Sequence, residues 1–146
     1  MDAHIAGIDR LNDDELIKEA LRVLGNAYAP YSRFPVGAVV ETEVGVFEGV
    51  NVENASYGLT ICAERIAIGA AVTAGAREVR TVAVASTSSP PASPCGACRQ
   101  VIAEFGGGAR VLLVNQRGER VETSIEALLP DSFSFDPPPA REGGRS

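Results

Sequence analysis

Val79-Arg-Thr-Val-Ala-Val-Ala-Ser86, a Ser/Pro-rich loop from Ser88 to Pro94, Cys95-Gly-Ala-Cys98-Arg-Gln-Val-Ile-Ala-Glu-Phe105 and Val111-Leu-Leu-Val-Asn115 follow one another along the chain. The first block is apolar, rich in β-branched residues and short, which suits a buried strand. The prolines end it, and Gly96 to Phe105 then reads as a helix that the loop enters through Cys95. Val111 to Asn115 is a second short apolar strand. A crossover of this length lets two strands pair in parallel, so the stretch predicts a strand-helix-strand unit.

Upstream, Cys62 to Ala74 is rich in Ala and Ile and is interrupted only by Gly69, which predicts another helix. Val36 to Val40 reads as a strand, Glu41 to Gly45 as a turn and Val46 to Val52 as the returning strand of a hairpin. Near the start, Asn12 and Glu15 make a capping box, and Leu16, Ala20, Leu21 and Leu24 recur at helical spacing. A first helix is expected over Asp13 to Tyr28. Pro30, Ser32 and Pro35 leave Tyr31, Arg33 and Phe34 on a loop, a candidate pocket wall. Ser124 to Leu129 adds one short helix. The order helix, hairpin, helix, strand, helix, strand implies an α/β fold in which helices cover a mixed sheet. One domain is expected over residues 1–136. The proline- and glycine-rich residues 137–146 lack apolar periodicity and read as a disordered tail.

The totals narrow the function. The 146 residues suit one core, and a composition 45% hydrophobic and 22% charged is that of an ordinary globular chain. A net charge of −6 excludes a broad phosphate-binding surface, so no nucleic-acid partner is expected. The longest apolar runs, such as Ile66 to Ala74, fall well short of the roughly 20 residues that span a bilayer, so no membrane partner is expected either. Met1 to Asn12 lacks the basic flank and apolar stretch of a secretory signal, which points to the cytoplasm. Three cysteines are an odd number, which favours thiol or metal chemistry over a disulfide framework.

Cys95 and Cys98 are separated by two residues, a gap that lets two thiolates reach one tetrahedral ion. Alone the pair is equally open to two buried thiols or to a redox couple. Cys62-Ala-Glu64 changes the balance by adding a third soft ligand with a carboxylate two residues on. Three cysteines leave a fourth position for water, the arrangement of a catalytic rather than a structural zinc. In a regular helix, residues two apart do not share a face, so Glu64 reaches the site only if Cys62 sits at the helix cap. Without the cysteines Glu64 would be a first-turn acid answering the helix dipole. Three thiolates and one Zn²⁺ carry a net negative charge, and Arg65 and Arg99 are the candidates to donate to the sulfurs, or else are solvated surface charges.

These residues resemble the small homotetrameric cytidine deaminases through Cys62-Ala-Glu64-Arg65 and Pro94-Cys-Gly-Ala-Cys-Arg-Gln100. The likeness extends through Tyr31-Ser-Arg-Phe-Pro-Val-Gly-Ala38, Gly49-Val-Asn-Val-Glu-Asn-Ala-Ser-Tyr57 and Leu128-Leu-Pro-Asp-Ser-Phe133. It implies a three-layer sandwich on a mixed sheet of about five strands. It further implies one zinc per subunit on Cys62, Cys95 and Cys98, with Glu64 relaying protons during hydrolytic deamination of cytidine and 2′-deoxycytidine. By the same resemblance Phe34 packs on the base, Asn51 and Glu53 grip the sugar hydroxyls, and Ala63 joins the substrate pocket. Ala55, Tyr57 and Phe133 reach pockets across subunit boundaries in a homotetramer.

The nearest rival is the blasticidin S deaminases, which share Cys-Ala-Glu and Pro-Cys-Gly-x-Cys, and Asn51 to Tyr57 argues against them. Polynucleotide deaminases usually place His at the first ligand and need a basic groove, which this acidic chain lacks. From a different class, a non-catalytic zinc module would use His4, the single histidine, as its fourth ligand.

Overall fold

The computed structural model describes residues 10–135. The expected tail and His4 lie outside that range. The elements are α1 (Asp13–Leu24), β1 (Val36–Thr42), β2 (Gly45–Val50), a 3₁₀ turn (Tyr57–Leu59), α2 (Ala63–Thr73), β3 (Val79–Ser86), α3 (Gly96–Phe105), β4 (Arg110–Asn115), β5 (Arg120–Ser124) and α4 (Ile125–Leu128). They build one five-stranded sheet in the order β2-β1-β3-β4-β5. Only β3 and β4 run parallel; every other neighbouring pair is antiparallel. The sheet is therefore mixed, as the strand-helix-strand unit predicted.

Alternation along each strand separates two cores. Ala38, Val40, Val82, Val84, Val111 and Leu113 face one way, against Ala67, Ile68 and Ala71 of α2 and Ile102 of α3. Val39, Ala83, Ala85, Leu112 and Val114 face the other way, against Leu16 and Ala20 of α1. Helices thus cover both faces, which makes the fold a three-layer α/β sandwich and explains why the central strands read as unbroken apolar runs.

Burying one side chain such as Leu16 contributes about 2 kcal/mol. The ion pair that also ties α1 to β4, Arg110 to Asp13 at 2.6 Å, involves side chains 43% and 32% exposed. A pair so open to solvent contributes no more than about 1 kcal/mol. Packing, not charge, fixes α1 on the sheet. Arg110 nevertheless holds the Asp13 carboxyl below its ordinary range through its hydrogen bonds.

Three expectations needed adjustment. The capping box forms, with Glu15 N–H donating to Asn12 Oδ1 at 2.8 Å and Asn12 N–H to Glu15 Oε1 at 3.0 Å. The helix then stops at Leu24, a turn short of Tyr28. Tyr28 leaves the helix because its backbone pairs elsewhere: its N–H donates to Asn51 O at 3.0 Å and its C=O accepts from Glu53 N–H at 2.9 Å. In the hairpin, Glu41 and Thr42 belong to β1 and Gly45 opens β2, which leaves only Glu43 and Val44 in the turn. Gly45 stands at φ 142°, where a side chain would be strained. Finally, the resemblance implies about five strands, but the residue pattern marks only four and leaves β5 unassigned. Its residues are largely exposed and polar, so the strand is held by backbone pairing to β4 rather than by an apolar pattern.

Candidate active site

The helices α2 and α3 both begin beyond the C-terminal end of β3, the side where open α/β sheets bind ligands. Cys62 is the N-cap of α2 and Cys95 the N-cap of α3, both with extended backbones and neither side chain used for capping. Their thiols are free to point away from the helices. Cys98, one turn into α3, is fully buried beneath them. The sulfurs lie 3.9 Å apart for Cys62 and Cys95 and 3.5 Å apart for Cys95 and Cys98, and all three fall within 4.8 Å of one another. Zinc–thiolate bonds of about 2.3 Å put tetrahedral neighbours roughly 3.8 Å apart. The cluster fits a single zinc ion. Among the described residues no fourth His, Cys, Asp or Glu joins it.

The cap geometry resolves the spacing of Cys62-Ala-Glu64. With Cys62 outside the helix, Glu64 occupies the first turn and turns inward, 4% exposed, next to the Cys98 thiol. Burial pushes its carboxyl up, against the pull of its own backbone N–H, Cys98 and the Arg65 charge. The two CxxC thiols diverge. Burial disfavours ionising Cys95, but the N–H of Cys98, the thiols of Cys98 and Cys62 and the N–H of Ala97 outweigh it and hold Cys95 below the ordinary range. Cys98 is pushed up by burial and by the charges of Glu64 and Cys62. A divalent cation reverses that second effect, because a coordinated thiol is deprotonated.

The two arginines behave differently. Arg65 Nη2 donates to Cys62 Sγ at 3.5 Å, while its buried Nε has no hydrogen-bond partner among the described residues. Its charge lies where three thiolates need one. Arg99 makes no bond to sulfur, contrary to expectation: it donates to Pro94 O at 2.7 Å, Leu128 O at 2.8 Å and Ser93 Oγ at 3.0 Å. It thereby braces the loop that presents Cys95 against the end of α4.

Of the expected substrate residues, Asn51 is buried and braces the pocket-wall loop. Its Nδ2 donates to Phe34 O and its Oδ1 accepts from Val36 N–H, both at 2.9 Å. Glu53 and Tyr57 share a cavity of about 360 Å³ with Tyr31, Ser32, Asn54 and Thr60. Phe34 stands half-exposed on the loop, next to Arg33 in the left-handed region at φ 57°. Ala63 is buried at the start of α2, and Ala55 lies at the surface. Tyr57 is 77% exposed and stacks edge-on with Tyr31 at 6.2 Å. Phe133, also exposed, packs edge-on with Phe135 at 5.7 Å, and Gln100 Nε2 ties its carbonyl to α3 at 3.1 Å. A separate cleft of about 1070 Å³ lies at the opposite end of the sheet and holds neither the cysteines nor Glu64. The polar residues Ser32, Asn54 and Thr60 of the cavity of about 360 Å³ were given no role in the site by the sequence reading; of these, Ser32 could have been found from its position two before Phe34 in a proline-flanked turn, which marks a Ser-turn.

A sheet that aims two helix N-termini at three clustered thiols, beside a buried carboxylate, defines a zinc-dependent enzyme. The family model for the cytidine and deoxycytidylate deaminase zinc-binding region matches residues 11–114, and the chain belongs to that family. A cytidine deaminase of Sporosarcina psychrophila is 47% identical over 123 residues, covering 83% of this chain and 90% of that protein. The crystal structure of cytidine deaminase from Burkholderia pseudomallei superposes with a TM-score of 0.81 at 47% identity, over 84% of this chain and all of that one. The blasticidin-S deaminase of Bacillus cereus is more distant, 32% identical over 131 residues, 84% of this chain and 92% of that protein.

Proposed function

We propose that this enzyme hydrolyses cytidine and 2′-deoxycytidine to uridine and 2′-deoxyuridine with release of ammonia. The observation that carries the proposal is Glu64, a carboxylate buried in the first turn of α2 beside three thiols spaced for one zinc. Cys62, Cys95 and Cys98 would hold the zinc, which would supply the Lewis acidity that makes water a nucleophile at neutral pH. Glu64 takes one proton from the attacking water and passes it to the ring nitrogen N3, then takes the second from the new hydroxyl on the amino-bearing carbon and gives it to the amino group, so that ammonia leaves as the carbonyl forms. Its burial suits the task, because desolvation raises the carboxyl and makes it a better proton acceptor than an exposed carboxylate. Arg65 offsets the excess thiolate charge from beside Cys62. Phe34 and Ala63 contact the base, while Asn51 and Glu53 face the sugar hydroxyls. We place the enzyme in the cytoplasm, where thiols stay reduced.

The decisive assay is ammonia release from cytidine and deoxycytidine, with cytosine and cytidine monophosphate as controls. Turnover is expected for the nucleosides alone, and removing zinc with a chelator should abolish it until zinc is returned. Turnover that survives complete loss of the metal contradicts the proposal. The more distant likeness to blasticidin-S deaminase makes that antibiotic a useful further control.

We also propose that the enzyme is a homotetramer whose pockets are completed by neighbouring subunits through Ala55, Tyr57 and Phe133. Tyr57 at 77% exposure, Leu59 at 64% and Phe133 at 73% are large apolar side chains open to solvent in the single chain, as expected of residues that a neighbouring subunit covers. Placing a charge there with Leu59→Arg should split the assembly into single chains by light scattering. Turnover should fall at least ~100-fold while one zinc per chain remains. A fully active monomer would refute the shared pocket.

A further inference from the structure

Ser32 joins groups that belong to two different parts of the nucleoside pocket. Its hydroxyl accepts the Phe34 N–H at 3.0 Å and donates to Glu53 Oε2. The other carboxylate oxygen, Oε1, is occupied by the backbone N–H groups of Tyr31 at 2.9 Å and of Ser32 at 3.1 Å. Two backbone donors therefore pin one end of the carboxylate to the turn, and the Ser32 hydroxyl sets the direction of the other. In an extended segment alternate side chains share a side, so Asn51 and Glu53 both meet the Tyr31 to Val36 loop while Val52 turns away. Asn51 spends its amide on Phe34 O and Val36 N–H. Among the described residues Glu53 Oε2 has only the Ser32 hydroxyl, and a carboxylate oxygen accepts two hydrogen bonds. The adjoining cavity, about 360 Å³ and lined by Ser32, Glu53, Tyr31 and Tyr57, has room for a pentose.

We infer that Ser32 is a positioning residue for sugar recognition: its hydroxyl aims Glu53 Oε2 at the sugar hydroxyls and ties that aim to the backbone of Phe34. The inference rests on the proposed nucleoside activity. A sugar hydroxyl joins Ser32 on Oε2 rather than displacing it. Loss of the Ser32 hydroxyl frees Oε2 to swing toward water, so the sugar must then order the carboxylate itself. Among the described residues Ser32 bonds to Glu53 and Phe34 and to neither a cysteine nor Glu64, so the chemical step is left alone.

Uridine and 2′,3′-dideoxyuridine, used as competitive inhibitors of cytidine turnover by the zinc-loaded enzyme, isolate this effect because they differ only in the sugar hydroxyls. Wild-type enzyme should bind uridine about tenfold more tightly or better, as expected for a hydroxyl donating to a carboxylate. In Ser32→Ala that preference should shrink to about twofold through a rise in the uridine Ki alone, with kcat for cytidine within about twofold of wild type. Ser32→Thr, which keeps the hydroxyl, should restore the preference. The inference is overturned if Ser32→Ala weakens both inhibitors alike, if it changes neither, or if the threonine variant behaves as the alanine one. A wild-type enzyme that does not turn over cytidine overturns the nucleoside reading itself, and that result is seen before any variant is made.

Discussion

Replacing Glu64 with Gln should lower kcat for cytidine by about 10⁴-fold, the upper range for removing a positioned proton-transfer group, while one zinc stays bound per chain. Gln keeps the size of the side chain and so keeps the packing of a position that is 4% exposed. What it loses is the capacity to take a proton at one moment and return it at the next. The metal should stay, because the three sulfurs alone are spaced for it and Glu64 is not among them. Glu64→Asp retains the chemistry but withdraws the carboxyl by one methylene, and should fall between wild type and Gln. Steady-state ammonia release with metal analysis of the same samples checks all three proteins. A Gln variant with more than about a tenth of wild-type turnover would show that protons move by another route, and one that loses zinc would make Glu64 part of the metal site instead.

The parts of this fold that could be read in advance are those whose causes are local. The bounds of β3 and α3 follow from an apolar run, a proline loop and a helix opening at Cys95, all contiguous in sequence. The early end of α1 does not, because Tyr28 is claimed by the backbone of Asn51 and Glu53, more than twenty residues away. The place of β5 in the chain was not legible from its residues for a related reason: pairing with β4 makes it a strand, and its own residues carry little pattern. The metal site was legible because tetrahedral coordination writes itself into short spacings. The helix cap at Cys62 even followed from the two-residue step to Glu64. The arginines show where such reasoning stops. Arg65 lies three residues past Cys62, close to one turn, and reaches its sulfur. Arg99 directly follows Cys98 and so stands about 100° around the helix from it. Adjacency in sequence suggested a contact that helical geometry denies. The bracing roles of Asn51, Glu53 and Ser32 depend on partners 15 to 22 residues away and could only be seen once the chain was folded.

The same dependence of site on packing predicts the second large effect, at two glycines that lie under helices. A Cβ on Gly49 of β2 would stand 2.5 Å from Ala67 N and 2.6 Å from Ala63 O, both on α2. A Cβ on Gly37 of β1 would stand 2.5 Å from Ala20 O and 2.8 Å from Leu24 N, both on α1. These neighbours are helix backbone, so relief requires the helix to move, and each Gly→Ala change should destabilise the fold by about 3 kcal/mol. The two should part company at the metal. The helix α2 begins at Cys62 and carries Glu64, with Ala63 O in the same turn, so displacing it misplaces a ligand. The helix α1 carries no residue of the cluster. At a temperature where both variants remain folded, chelator competition should show weaker zinc binding and lower kcat for Gly49→Ala, and near-wild-type values for Gly37→Ala. Folding and metal binding are linked, so a fall in thermal midpoint alone would not separate the two, whereas affinity measured in the folded state does. Equal loss of zinc affinity in both variants would mean that the cluster answers to global stability. Loss confined to Gly49→Ala would mean that the close approach of β2 to α2 holds Cys62 and Glu64 in register with Cys95 and Cys98.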